Sequence, residues 1–286
     1  MITISQLLSE STKRLRENKI LSPRLDVEIL LAHELNVDRT YLLINSENKI
    51  NESTVSNFEE LVNRRLEGEP IAYITGHQEF MGLDFRVNHH VLIPRPDTEI
   101  LVEYVINIVK SNNDRVTLLD IGTGSGAIAL SIGKYCPNST LTLLDISEEA
   151  LNVARENSNI LGIADQADYL LSDCFNELKK QKYDIIVSNP PYIPTLDIEG
   201  LQTEVRVFEP RGALDGGIDG LLFYKRIVEG AKKYLKGDGL IALEIGYNQG
   251  QDVMNLLKEN GYCEIKIMKD YGNHDRVVVA RNGLFP

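Results

Sequence analysis

The sequence predicts an α/β protein with a mainly parallel sheet, preceded by a smaller helical domain. Three observations carry this. From residue 97 onward, apolar runs of strand length alternate with helix-like stretches; a glycine-rich turn joins one such run to a helix; and the first 68 residues show helical periodicity. With 286 residues, 43% of them hydrophobic, the chain can bury one sizeable α/β core and a companion domain.

The helical part opens on Thr3-Ile4-Ser5-Gln6, which has capping-box spacing, and Ile4, Leu7, Leu8 and Leu15 recur at helical intervals. Ser22-Pro23 suits an N-cap followed by proline at the first helical position, starting a helix that carries Leu25, Ile29, Leu30 and Leu35. A third helix is expected over 51–67 on Val55, Phe58, Leu61, Val62 and Leu66, with Gly68 as its stop. Residues 70–94 change period, and Phe80, Leu83, Phe85, Val87, Val91 and Ile93 suggest a β-hairpin joining the two parts. Beyond it, strands are expected at 116–119, 141–144, 169–171, 185–187, 240–243, 264–267 and 277–280. Helices such as 147–161 and 220–235 separate them, which implies a sheet covered on both faces. The last two runs predict a closing antiparallel strand.

Composition excludes some classes. No stretch approaches about 18 uninterrupted apolar residues, so no membrane span is expected. The first residues mix both charges and lack the apolar core of a signal peptide. Cys136, Cys174 and Cys263 lie far apart, as reduced thiols of a cytoplasmic protein do, without disulfide or zinc spacing. Thirty Lys and Arg against 42 Asp and Glu give a net charge of −12. That balance suits a protein or small-molecule substrate better than a long nucleic acid, whose phosphates need neutralising, although a local basic patch would serve.

Residues 116–132, VTLLDIGTGSGAIALSI, read as a buried strand, a glycine turn and a helix start. Gly122, Gly124 and Gly126, with Thr123 and Ser125 between them, let a ligand approach the main chain closely. The next strand ends in Asp145, about twenty residues on, where an acid is suited to the two ribose hydroxyls of a nucleotide. Ser147 then caps the following helix, with Glu148 and Glu149 in its first turn. NAD, FAD and S-adenosyl-L-methionine (AdoMet) folds all use such a turn. Two details favour AdoMet. The spacing is G-x-G-x-G, and Asp120 directly before the loop would bind a cationic ammonium but repel a pyrophosphate.

Residues 183–193, YDIIVSNPPYI, hold the most specific signal. A strand runs straight into Asn189-Pro190-Pro191-Tyr192, at the strand end where α/β sheets bind ligands. The two prolines stiffen the loop and hold Asn189 extended. The Asn189 side-chain oxygen and the Pro190 carbonyl can accept the two N–H groups of a planar amide or aromatic amine. Its lone pair is then aimed at a methyl donor, by positioning and preorganised electrostatics without a strong base. Tyr192 supplies a flat apolar wall, and residues 189–192 together form the expected substrate grip.

These residues resemble the HemK/PrmC family of protein-(glutamine-N5) methyltransferases, which modify class 1 peptide chain release factors. The resemblance spans essentially the whole chain. It is carried by IPRPDTEILVE (93–103), DIGTGSGAIALSI (120–132), SDCF (172–175), SNPPYI (188–193), FEPRGALDGGIDGL (208–221) and DYGNHDRVVVAR (270–281). It implies a Rossmann-like AdoMet-dependent methyltransferase domain over 95–286, a β-hairpin linker over 70–94 and an N-terminal helical substrate-recognition domain over 1–69. It further implies transfer of a methyl group to the glutamine of the release factor's Gly-Gly-Gln loop, in the cytoplasm, with no stable nucleic-acid binding. The cofactor positions it implies are 122–126, Asp145, Cys174 and Asn189. The family often has a bulky aromatic where Cys174 stands, so Asp173 and Phe175 are expected to share the adenine contact. NPPY is also found in adenine-N6 methyltransferases acting on DNA or RNA, which remain the alternative enzyme; a non-catalytic AdoMet sensor is the alternative from another class.

Other candidates have two readings each. Arg95, Asp97, Thr98 and Glu99 either line the methionine end of the cofactor or start a helix, with Asp97 as its N-cap. Glu209 and Arg211 either shape the substrate mouth or form an internal ion pair. His89 and His90 suggest a metal only weakly, since neighbours on a strand point to opposite faces. No metal is expected.

Overall fold

The computed structural model describes residues 2–112 and 114–283. The chain forms two compact units. One runs to His77 and takes in Gln202–Phe208; the other holds Gln78–Leu201 and continues from Glu209.

In the helical unit, α1 (Ile4–Glu17) starts on the expected reciprocal cap. The Gln6 N–H donates to the Thr3 hydroxyl at 3.2 Å and the Thr3 N–H to the Gln6 side chain at 3.0 Å. α2 (Pro23–Leu35) begins on its proline, but Ser22 makes no side-chain capping bond, so the ring's fixed φ rather than a cap starts it. α3 (Arg39–Ile44) and α5 (Ile71–Thr75) are too short to show two turns of periodicity, and the sequence reading lacks both. α4 (Glu52–Leu66) stops at Gly68, whose φ of +93° is the expected left-handed ending. Leu7, Leu8, Leu15, Leu30, Leu31, Phe58 and Val62 form the core, whereas Leu25 is 40% exposed because α2 turns Val27 inward instead.

A later segment, α9 (Thr203–Phe208), belongs to this unit as well. Arg65, only 4% exposed, bonds Asp26 at 2.7 Å, Glu204 at 2.6 Å and the Glu69 carbonyl at 3.1 Å. Because α5 lies with the helices, the division falls at His77 rather than at 69/70, and residues 70–94 do not form one linker.

The other unit opens with a hairpin of β1 (His77–Phe80) and β2 (Leu83–Arg86), joined by Met81 and Gly82 at φ +55° and +70°. Both signs suit a two-residue type I′ turn. Glu99 accepts the Met81 N–H at 2.6 Å and the Tyr135 hydroxyl donates to the Met81 carbonyl at 2.6 Å, which holds a non-glycine residue there. The order then runs α6 (Glu99–Lys110), β3 (Val116–Ile121), α7 (Ala127–Tyr135), β4 (Ser139–Asp145), α8 (Glu148–Leu161), β5 (Ala167–Leu171) and β6 (Tyr183–Ser188). It continues with α10 (Leu222–Ala231), β7 (Leu235–Glu244), α11 (Gly250–Glu259), β8 (Tyr262–Lys269) and β9 (Asp275–Asn282).

Among the described residues these strands build one seven-stranded sheet in the order β5-β4-β3-β6-β7-β9-β8. β5, β4, β3, β6 and β7 run parallel to one another. The expected antiparallel strand is β9, inserted between β7 and β8. Alternate residues face opposite layers. Leu118, Leu141, Ile185 and Leu240 meet α6 and α7, while Leu119, Ile186, Ile241 and Leu243 meet α10 and α11. The strand order reverses at β3, flanked by β4 and β6, and a crevice opens at such a switch point.

Replacing Arg65 by Met leaves Asp26 buried without its cation. The expected cost is about 3–5 kcal/mol in urea unfolding, and Asp26→Leu added to Arg65→Met should recover much of it.

Candidate functional site

A cavity of about 510 Å³ lies over the C-terminal ends of β3, β4, β5 and β6. Gly122 and Gly124, at φ +70° and +56°, line it with Thr123 and Ser125. A Cβ added at either glycine meets no atom within 4 Å, so the main chain there lies open to a ligand. Gly126 differs. It is not part of the cavity wall, and a Cβ there would stand 2.6 Å from Leu130 and 3.2 Å from Ala154, so it serves the packing of α7 on α8 rather than a cofactor.

Asp145 faces the cavity, accepting the Gly124 N–H at 2.9 Å and the Ser147 N–H at 3.0 Å. Burial pushes its carboxyl up, and these N–H groups oppose that. The Ser147 hydroxyl caps α8 as expected, accepting from Ala150 at 3.1 Å. Asp120 lies elsewhere than the sequence suggested. It shares the face of Leu118, beneath α7, is 0% exposed and is absent from the cavity wall. It accepts the Thr123 hydroxyl at 2.7 Å, so it braces the glycine loop from behind and presents nothing to an ammonium. Burial raises its carboxyl to about 7.

After β5, Asp173 and Cys174 line the cavity, and Asp173 pairs with Arg226 at 2.7 Å. Phe175 does not: it stacks on Tyr234 at 5.1 Å and presses against Gly230. The apolar surface expected of it comes from Ile146 and Phe223, both on the wall. His89 and His90 also line the cavity with ring centroids 4.0 Å apart, because they occupy a turn rather than a strand. Among the described residues no three His, Cys, Asp or Glu side chains cluster to hold a metal ion.

The Ser188 hydroxyl donates to the Ile121 carbonyl at 2.6 Å, tying the end of β6 to the end of β3. Asn189, Pro190 and Pro191 follow on the cavity wall beside the glycine loop. The Asn189 Nδ2 donates to the Thr98 hydroxyl at 3.4 Å, which leaves Oδ1 as the free acceptor of that side chain. Tyr192 stands beyond the wall, half-buried, its carbonyl accepting from Gln249 at 3.0 Å. Burial, with the Glu244 carboxylate nearby, raises its hydroxyl to about 12.

Of the doubtful group, Arg95 and Thr98 line the cavity. Asp97 pairs with Arg276 at 3.1 Å and does not cap α6, and Glu99 is occupied by Met81. Glu209 pairs with Arg95, whereas Arg211 reaches Glu199 at 3.5 Å and Asp215 at 3.7 Å, so the expected Glu209–Arg211 pair does not form. Sequence reasoning missed Glu244, 2% exposed at the end of β7, with its carboxyl raised by burial to about 7. An acid closing the apolar run LIALE, next to the strand that carries NPPY, was the available signal.

Comparison with known proteins adds the following. Residues 6–76 match the family model of the PrmC N-terminal domain, and residues 97–209 that of the methyltransferase small domain. The chain is 43% identical over 280 residues to a release factor glutamine methyltransferase of Moorella thermoacetica, covering 98% of each chain. It is 44% identical over 260 residues to one of Clostridium acetobutylicum, covering 90% of this chain and 91% of the relative. A methyltransferase of Pyrococcus furiosus shares the fold, with a TM-score of 0.50 and 21% identity over 80% of this chain and 99% of its own.

Asp120 and Glu244 ionise near 7 in the folded chain, against ordinary values of 3.8 and 4.5. Folding therefore takes up protons between about pH 4.5 and 7, and stability falls as pH rises through that window. Asp184, Asp215 and Asp270, held low by their partners, act at more acid pH. The unfolding temperature, measured in steps from about pH 5 to 8, should decline and then level off, and Asp120→Asn should flatten the decline.

Proposed function

This chain belongs to the release factor glutamine methyltransferases, and from that membership we propose how its own residues bring a methyl group from AdoMet to N5 of the Gly-Gly-Gln glutamine of class 1 release factors. The observation that carries the reading is the placement of Asn189, Pro190 and Pro191 on the same cavity wall as the open glycine loop and Asp145.

The residues fit AdoMet. Gly122 and Gly124 leave the main chain bare towards the cavity, and Asp145 offers carboxylate oxygens suited to two ribose hydroxyls. Ile146, Cys174 and Phe223 supply apolar surface beside Asp173 for the adenine. When bound, AdoMet supplies an electrophilic methyl on a positively charged sulfur.

The chain's work is to hold the amide. Among the described residues no donor is bonded to the Pro190 carbonyl, and Asn189 Oδ1 is likewise available. Together they accept the two N–H groups of the glutamine side chain. That grip turns the nitrogen lone pair towards the methyl and stabilises positive charge as it develops on nitrogen. The proline rings fix the loop before substrate arrives, so little reorganisation accompanies reaction. Tyr192, expected as a wall for the amide plane, packs against the core beyond the cavity wall and backs the loop instead. The net charge of −12 supports a protein substrate over duplex DNA, and a release-factor substrate supports a reaction in the cytoplasm. Among the described residues no helix is long and apolar enough to cross a membrane.

Labelled AdoMet should mark purified release factor, but neither the same factor with its Gly-Gly-Gln glutamine replaced nor duplex DNA. Label on the DNA, or equal label on the altered factor, overturns the assignment. Asn189→Ala should lower turnover about 10²–10³-fold, while calorimetric AdoMet affinity stays within about tenfold. Retained turnover would refute the role given to Asn189.

A further inference from the structure

The buried face of α8 is largely apolar, with Ala150, Leu151, Val153, Ala154 and Leu161 along it, yet Asn157 stands among them at 0% exposure. Ser158, also buried, donates back to the Arg155 carbonyl of its own helix at 2.8 Å. Asn157 reaches outside the helix instead. Its Oδ1 accepts the Arg86 N–H at 2.7 Å, and its Nδ2 donates to the Arg86 carbonyl at 3.0 Å and to the Ser125 carbonyl at 2.8 Å. The amide cannot be turned over, since that sets its oxygen against two carbonyls and its NH2 against an N–H. Burying an amide is tolerated only with such partners, and packing alone favours an apolar residue.

Both partners of Asn157 lead to the cofactor cavity. Ser125 lies on its wall and Asn157 does not, so the Ser125 carbonyl is drawn to the rear of the glycine loop. Arg86 ends β2, and the chain then turns tightly. The Asn88 side chain accepts the His90 N–H at 2.9 Å and its carbonyl accepts the Val91 N–H at 3.1 Å. That turn puts His89, His90, Val91 and Leu92 on the cavity wall, with Val87 and Val91 buried on either side of it. The glycine loop has two other ties, Thr123 to Asp120 and Gly124 to Asp145, and neither of them reaches the 89–92 turn. One buried amide therefore joins two parts of the cavity wall that are distant in sequence.

We infer that Asn157 is a positioning residue for AdoMet, holding the glycine loop and the 89–92 turn at the spacing the cofactor needs. It touches no ligand itself, and the inference rests on the AdoMet reading of the cavity given above. Without the amide, each part of the wall loses its hold on the other. The cofactor must then draw them together as it binds, and that ordering lowers its affinity. The Asn189 end of the site is held separately, by β6 and Thr98, so the chemical step is spared once the cofactor is in place.

Asn157→Ala tests this, with every measurement made well below the unfolding midpoint. Calorimetric AdoMet affinity should fall about tenfold or more, while kcat at saturating AdoMet and the release-factor KM stay within about twofold. Asn157→Asp keeps the shape and the acceptor for Arg86 but, as a carboxylate, loses both donors. It should show the same split, and it carries the test if Asn157→Ala does not fold. AdoMet affinity within about twofold of wild type overturns the inference. So does a fall in kcat, or a rise in the release-factor KM, as large as the loss of AdoMet affinity, since that marks a merely structural role. Affinity is read without release factor, so the two readings fail separately. A wild type that binds no AdoMet refutes the broader one, and a variant that binds it as well as wild type refutes only this one.

Discussion

Covering both faces of a parallel sheet with helices leaves the strand ends as the place where polar side chains can meet a ligand. Four adjacent strands of this sheet, β4, β3, β6 and β7, finish at or beside Asp145, Asp120, Asn189 and Glu244. What each polar group can do follows from the side on which strand alternation leaves it. Asp145 and Asn189 reach the cavity, while Asp120 and Glu244 turn under the helices and stay buried. Two of the four thus line the cavity and two lie buried behind it.

That division explains why some of the site could be read from sequence and some could not. The inner strands were legible because burial on both faces makes each a largely apolar run, while β5 and β8, at the edges, are only partly buried. The glycine loop, Asp145 and NPPY were legible because their chemistry depends on local spacing. Asp120 and Gly126 belong to the same motif, yet their roles depend on how α7 lies across the loop and against α8, which spacing does not encode. His89 and His90 share the cavity wall because strand alternation does not hold in a turn. Glu244 closes an apolar run, where a charge looks like an ordinary strand boundary. The attachment of α9 to the helical unit depends on Arg65 meeting Glu204, 139 residues away, and no local pattern announces such a contact.

The segments around NPPY show how irregular chain is kept in place without ladder hydrogen bonds. Arg95 and Glu209 join the IPRPDTE and EPRGALDGG segments, 114 residues apart. Residues next to each partner, Pro94 on one side and Pro210 on the other, line the same cavity. Glu209 is buried and Arg95 partly exposed, so losing the arginine would take a cationic partner from a carboxylate in low dielectric. The pair therefore acts more as a constraint on the cavity wall than as a source of net stability.

The glycines of the second segment follow from the same arrangement. The 193–195 stretch exchanges backbone bonds with 214–217: Ile193 donates to Leu214 at 3.0 Å, Gly216 to Ile193 at 2.8 Å, and Thr195 to Gly217 at 2.9 Å. A Cβ at Gly216 would stand 2.8 Å from the Tyr192 backbone, and one at Gly220 would collide with the Tyr192 carbonyl. Gln249 bridges that carbonyl to the Gly220 carbonyl, closing the contact from the other side. Any side chain at these positions would displace Tyr192, and the stiff Pro190-Pro191 link would pass the displacement to the Pro190 carbonyl and Asn189. EPRGALDGG thus accompanies NPPY for a steric reason: one segment is the bed on which the other lies, and only glycine lets them lie so close.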